Sequence, residues 1–231
     1  MTPRPRARSF KPRRRGLSPQ RAAAYATSSA RWGLAVEGPV LSLPDVFAAE
    51  GPFVLDVGFG AGEALLGLAR ARPDECVIGV EVHTTGLAAV LEAAAADASL
   101  SNVRVVDGDV VDFLPRLPTA SLDVIRIWFP DPWPKQRQQH RRLVSTTVVT
   151  RLVDRLRPGG CLHLATDIAD YSLHMQRVCA ADGRLAGGVV DRPAWRPLTR
   201  FEQRGLTEGR SPVDLLYTLK RNSVTSPSTN S

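Results

Sequence analysis

Residues 128–137 read W-F-P-D-P-W-P-K-Q-R, and the spacing sets one carboxylate, Asp131, between two prolines. Proline fixes φ and biases its predecessor toward extended backbone. Pro130, Pro132 and Pro134 therefore predict a stiff loop that presents Asp131 and Trp133. A rigid carboxylate accepts hydrogen bonds from the edge of a nucleobase, and an aromatic ring stacks on its face. Behind the loop, Lys135, Arg137, His140, Arg141 and Arg142 could run along phosphates. The plainer reading of that run is a solvated basic face. Trp133 and Phe201 read equally well as stacking partners and as core.

A second cluster lies upstream. Residues 56–62 read D-V-G-F-G-A-G, between an apolar run and an Ala/Leu-rich stretch. Glycine permits positive φ and a close approach of backbone to ligand. The dinucleotide fingerprint G-x-G-x-x-G fails here, because its third glycine position is Glu63. Gly58, Gly60 and Gly62, with Asp56 two residues ahead, instead resemble the first motif of S-adenosylmethionine-dependent methyltransferases. A carboxylate beside the loop would repel a pyrophosphate but suits a cationic methionine moiety. Glu81 closes the next apolar run, where a carboxylate can take both ribose hydroxyls. Asp109, in D-G-D-V, either accepts from an adenine amine or serves as a plain turn aspartate.

These residues must be positioned by the elements between them. The apolar runs 53–57, 76–82, 103–106, 122–129, 161–165 and 213–219 predict strands. Helical spacing is expected over 63–71, 84–96, 141–156 and 168–181, the third stopping at Pro158-Gly159-Gly160. Alternating strands and helices imply an α/β fold: a doubly wound, mostly parallel sheet with right-handed crossovers. Ligands bind such sheets beyond the carboxyl ends of the strands. Asp56–Gly58, Glu81, Asp109, Asp131 and Asp167 all fall at or just after strand ends, so they should converge on one edge.

Composition narrows the class. The chain has 231 residues, 43% hydrophobic, suiting one domain with tails. No window reaches the length of a membrane span, and no apolar stretch follows the basic N-terminus to make a secretory signal. An Arg-rich start is also compatible with a transit peptide. Three cysteines without metal-type spacing fit a reducing cytoplasm, and His83, His140, His163 and His174 form no close pair, so no metal is expected. Residues 1–21 carry eight cations and no acid against a whole-chain net of +7, leaving the body near neutral. The expected organisation is a basic, flexible arm over residues 1–36, a catalytic domain over 37–221 and a disordered tail over 222–231. The arm reads as a solubilising tail or as a segment that neutralises phosphates.

From about Ser9 onward the sequence resembles the tRNA (guanine-N7-)-methyltransferases of the bacterial TrmB type. The lead-in R-S-F-K-P-R-R-R-G-L-S-P-Q-R, then L-D-V-G-F-G-A-G-E-A-L-L, I-G-V-E-V-H, F-P-D-P-W-P-K, A-T-D-I-A-D-Y and R-P-L-T-R-F-E-Q-R-G follow in the family's order. F-P-D-P-W-x-K and T-x-F-E-x-R-G are specific to that family; the glycine loop belongs to the whole superfamily. The resemblance implies a seven-stranded Rossmann-like class I methyltransferase domain and S-adenosyl-L-methionine as cofactor. It implies tRNA as partner, a guanine of its variable loop as target, no membrane or metal, and a cytoplasmic monomer or homodimer. By resemblance Asp56, Glu81 and Asp109 bind the cofactor, Asp131 is the active-site residue, and Lys135, Asp167, Thr199, Arg200, Phe201 and Glu202 bind the RNA. Gln136, Gln138 and Gln139 depart from the family's more cationic run. Guanine N7 has a lone pair and no proton to lose, so neither a general base nor a covalent nucleophile is required. The rivals are an adenine or exocyclic-amine methyltransferase, which favours proline where Trp133 stands, and a non-catalytic RNA-binding protein with a vestigial cofactor site.

Overall fold

The structure, a computed structural model, describes residues 9–10 and 16–221. Its elements run in chain order α1 (Pro19–Trp32), α2 (Leu43–Phe47), β1 (Phe53–Val57), α3 (Glu63–Ala71), β2 (Cys76–Glu81), α4 (Thr84–Ala96), β3 (Val103–Asp107) and α5 (Val110–Phe113). Then follow β4 (Leu122–Trp128), α6 (Thr146–Val153), β5 (Leu156–Thr166), α7 (Ala169–Ala180), β6 (Leu185–Val190), α8 (Arg200–Thr207) and β7 (Val213–Leu219).

The seven strands form one sheet in the order β3-β2-β1-β4-β5-β7-β6. Neighbours from β3 through β5 are parallel, and β7 runs antiparallel between β5 and β6. Parallel strands are covered on both faces, which is why their sequences are nearly continuous apolar runs. Leu55 sits in register with Ile78 and Ile125, and Ile125 with Leu162, in a core shared with Val149, Leu152 and Met175. Val54 and Val77 enter the opposite core with Leu65, Leu87 and Leu91. Each such side chain removed from water contributes about 1.5–3 kcal/mol, so these strands could not be slid by one residue without loss. Strand order reverses direction between β1 and β4, and the loops leaving those two strands open a crevice between them.

Two expectations need correction. The flexible arm does not extend to residue 36: α1 is capped by Ser18 and starts at Pro19. It is pinned by Arg21 on Glu92, by Tyr25 Oη donating to Asp107 at 2.9 Å, and by Trp32 in the core. Tyr25, Ser28 and Trp32 form a stripe too thin to register among so many alanines. The helix expected over 141–156 is confined to α6, with 3₁₀ turns over Gln136–Arg141. Leu156 instead pairs with Leu122, and the register then jumps to Cys161 opposite Val124, so Pro158-Gly159-Gly160 bulges inside β5 rather than ending a helix. In addition Leu185–Val190, to which the sequence pattern assigned no element, is an edge strand whose two glycines hide it from propensity. The expected tail over 222–231 lies outside the described residues. No described helix is long and apolar enough to cross a membrane.

Candidate functional site

Beyond the carboxyl ends of β1 and β4 lies a cleft enclosing about 760 Å³ of empty space, its open mouth included. Its walls bring together Gly58, Gly60, Glu81, Asp109 and Asp131, residues separated by as many as 73 positions in sequence but converging on one sheet edge. A second cavity continues over the glycine loop, between Asp56, Gly62, Glu63, Trp128, Thr199 and Arg200, and Phe201 lines both.

The glycine loop is shaped by positive φ at Gly58 (72°), Gly60 (58°) and Gly62 (83°). A Cβ on Gly58 or Gly60 would meet nothing within 4 Å, so at these two positions bare backbone borders open space. Gly62 has a different reason: a Cβ there would collide with Val90 of α4. The loop is closed onto β2 by Glu81, whose Oε2 accepts from the Gly60 N–H at 2.7 Å. Its Oε1 accepts from the N–H groups of Val82 (2.7 Å) and His83 (2.9 Å). Asp109 caps α5, accepting from Val111 N–H at 2.9 Å, while still lining the cleft.

Asp56 is 4% exposed and stands opposite Arg126 of β4 in the parallel register. Burial pushes its carboxyl up to about 6; the Arg126 charge opposes the shift, and Glu81 and Glu75 add to it. A carboxylate held at such cost is stabilised by a cation brought alongside. Open backbone at two glycines, a buried carboxylate beneath them and a second carboxylate at the β2 end fit a nucleoside carrying a cationic, amino-acid-bearing sulfur.

The W-F-P-D-P-W-P segment leaves β4 after a last ladder bond, Phe129 N–H to the Ala165 carbonyl at 2.8 Å. It is more sharply folded than proline chemistry alone predicts. Phe129 (φ 53°) and Trp133 (φ 44°) each precede a proline yet adopt the left-handed region instead of extended backbone. Non-glycine residues hold that conformation only when their surroundings impose it. Trp133 is 3% exposed, donates its indole N–H to the Ser9 carbonyl at 2.9 Å, and carries the Arg141 guanidinium 3.8 Å above its ring. It is therefore part of the loop's packing. Phe201, by contrast, is 72% exposed and lines the cleft.

The remaining residues expected to meet substrate divide. Thr199 caps α8, its Oγ1 accepting from Glu202 N–H at 3.1 Å, and Arg200 pairs with Glu63 at 2.6 Å on the rim. Lys135 is exposed at the end of the proline loop, outside the two cavities. Asp167 is drawn away by Arg210, whose Nε donates to it at 2.6 Å. Glu202 points inward: both carboxylate oxygens are gripped by Arg196, at 2.6 and 2.7 Å, and Arg192 donates to it at 2.9 Å. Arg196 also reaches Asp214, which meets His163 at 2.7 Å, and all four side chains are sealed from solvent. Glu202 was expected at the site from the sequence, but its partners Arg192, Arg196, Asp214 and His163 were not. An arginine six residues before a carboxylate carries no signal until α8 folds back over the sheet. Among the described residues no group of His, Cys, Asp or Glu could hold a metal ion.

Residues 50–215 match a family model described as "Putative methyltransferase". The tRNA (guanine-N(7)-)-methyltransferase of Thiobacillus denitrificans is 43% identical over 218 residues, covering 93% of this chain and 96% of that protein. Proteins of the same name from Streptomyces avermitilis and Nitrosospira multiformis are 41% and 38% identical, covering 92% and 93% of this chain and 75% and 95% of theirs. Among solved structures, the 16S rRNA methyltransferase KamB superposes with a TM-score of 0.56 at 18% identity, covering 77% of this chain and 92% of its own. A 16S rRNA (adenine(1408)-N(1))-methyltransferase from Catenulisporales acidiphilia, solved with cosubstrate SAM, superposes with a TM-score of 0.53 at 18% identity, covering 79% and 93%. These two show a shared fold. With relatives 38–43% identical over 92–93% of its length, the chain belongs to the tRNA (guanine-N(7)-)-methyltransferase family.

Proposed function

We propose that the chain methylates N7 of a guanine in the variable loop of tRNA, using S-adenosyl-L-methionine, with Asp131 orienting the base. What supports this reading most is that Asp131 and the glycine loop border one cleft. Asp56, Gly58, Gly60, Gly62, Glu81 and Asp109 hold the cofactor, and Thr199, Arg200 and Phe201 meet the RNA at the rim. Lys135 meets it beside the cleft. Asp167 and Glu202 act from behind, by fixing the segments that carry those contacts. When bound, the cofactor supplies an electrophilic methyl on a sulfonium sulfur.

Guanine N7 attacks with its in-plane lone pair. The N7–carbon bond forms as the sulfur–carbon bond breaks, and positive charge passes to the purine. No proton has to leave first. The Asp131 carboxylate favours that redistribution of charge and accepts from guanine N1–H and the 2-amino group. Holding the reactants in line supplies on the order of 7–11 kcal/mol of the barrier reduction. In an A-form helix N7 faces a groove that side chains reach poorly, so the base must rotate outward, at a cost of a few kcal/mol. The exposed Phe201 ring would stack on it. The basic residues of the N-terminal segment, most of them outside the described residues, neutralise phosphates. In this reading the chain acts on its tRNA in the cytoplasm, as a monomer or a homodimer.

The test is a nucleoside digest of tRNA incubated with protein and S-adenosyl-L-methionine. Wild type should yield 7-methylguanosine, and Asp131→Ala none, with cofactor affinity largely retained. N6-methyladenosine in place of 7-methylguanosine would make the protein an amine methyltransferase. Binding of tRNA without binding of the cofactor would make it a non-catalytic RNA-binding protein.

A further inference from the structure

Pro130, Pro132 and Pro134 remove three backbone donors from the loop that carries Asp131, leaving few amides of its own to close it. Its carbonyls need a donor from elsewhere. The Pro132 carbonyl, next to Asp131, accepts from Arg142 Nε at 3.0 Å. The rest of that guanidinium faces α7: it pairs with the Asp170 carboxylate and lies 4.7 Å over the Tyr171 ring. Arg142 is only 3% exposed, whereas Lys135, Arg137 and His140 of the same basic run are exposed. Its donors are therefore committed to protein. Tyr171 is fully buried, and its hydroxyl accepts from Val144 N–H at 3.3 Å, so the surface on which Arg142 rests is itself anchored.

We infer that Arg142 is a positioning residue for Asp131, bracing the proline loop against α7 so that the carboxylate faces the guanine at a fixed distance. The inference rests on the methyl-transfer reading above. A planar fork is needed because one edge must meet a carbonyl while another meets a carboxylate. Lysine, a point charge on a flexible stem, satisfies one or the other. Displacing a reacting partner by about 1 Å costs about a hundredfold in rate.

The experiment compares full-length wild type, Arg142→Lys, Arg142→Met and Asp170→Asn. It measures single-turnover methyl transfer at saturating tRNA and cofactor, the Kd for each, the salt dependence of tRNA binding, and Tm. Arg142→Met should lose about a hundredfold in single-turnover rate and Arg142→Lys about tenfold, with both Kd values and the salt slope near wild type. Should Arg142→Met fail to fold, Arg142→Lys and Asp170→Asn carry the test, each expected to slow transfer without weakening tRNA. Wild-type transfer by Arg142→Lys would overturn the proposal. So would a loss appearing wholly as weaker tRNA binding with a shallower salt slope, which would make Arg142 a phosphate contact. If wild type itself makes no 7-methylguanosine, the functional reading fails and takes this one with it; an unimpaired Arg142→Lys beside an active wild type removes this one alone.

Discussion

The Gly60 N–H donates to Glu81 Oε2 at 2.7 Å, tying the loop after β1 to the end of β2. Because the other carboxylate oxygen accepts from Val82 and His83, one side chain holds two turns of the cleft. Glu81→Gln would set an amide N–H₂ against one of these donors and remove the charge from the rest. Hydrogen bonds to charged groups contribute roughly 1.5–3 kcal/mol each. Isothermal titration should show at least a tenfold weaker cofactor Kd, a loss of roughly 1.4 kcal/mol, together with a lower Tm of the free protein. Unchanged affinity would mean that Glu81 only shapes the loop.

Asp56 makes stability depend on pH. Its carboxyl is raised from 3.8 to about 6, chiefly by burial. Between those values the native state keeps a proton that the unfolded chain has released. Unfolding free energy should therefore decline as pH rises through that window and level off above it. Asp56→Asn should abolish the decline and raise Tm near neutral pH. A cationic ligand favours the ionised form, so cofactor affinity should climb over the same window in wild type and stay flat in the variant. Parallel pH profiles for the two proteins would remove Asp56 from cofactor binding.

The Arg196–Glu202 pair is sealed, with both side chains 1% exposed or less. Removing one partner of such a pair leaves a buried charge short of compensation, at a cost of roughly 3–5 kcal/mol. Glu202→Gln should accordingly lower the urea midpoint sharply, and activity should fall as α8 loosens and carries Phe201 from the rim. If Glu202→Gln unfolds like wild type but binds tRNA poorly, the carboxylate faces the base and not Arg196.

Six of the seven strands, and the helices 63–71 and 84–96, were legible because each is a local pattern: an apolar run bounded by glycine or proline, or helical spacing of alanine and leucine. The glycine loop and the proline loop were legible for a related reason. Their residue types permit few conformations, so composition nearly specifies shape. What stayed hidden was held by partners distant in sequence. The α1 stripe shows only against α4, the β6 glycines only beside β7, and the bulge at Pro158 only once Leu156 finds Leu122.

The sequence by itself determined that Asp56, Glu81, Asp109, Asp131 and Asp167 would gather at the carboxyl edge of a parallel sheet, since each lies at or just after the end of a strand. It could not determine which way each side chain turned there. That choice belonged to the arginines: Arg196 turns Glu202 inward, Arg210 draws Asp167 aside, and Arg142 is spent on Pro132 and Asp170. A carboxylate follows the nearest guanidinium because an unpaired buried charge is costly, and proximity between residues far apart in the chain exists only in the folded state.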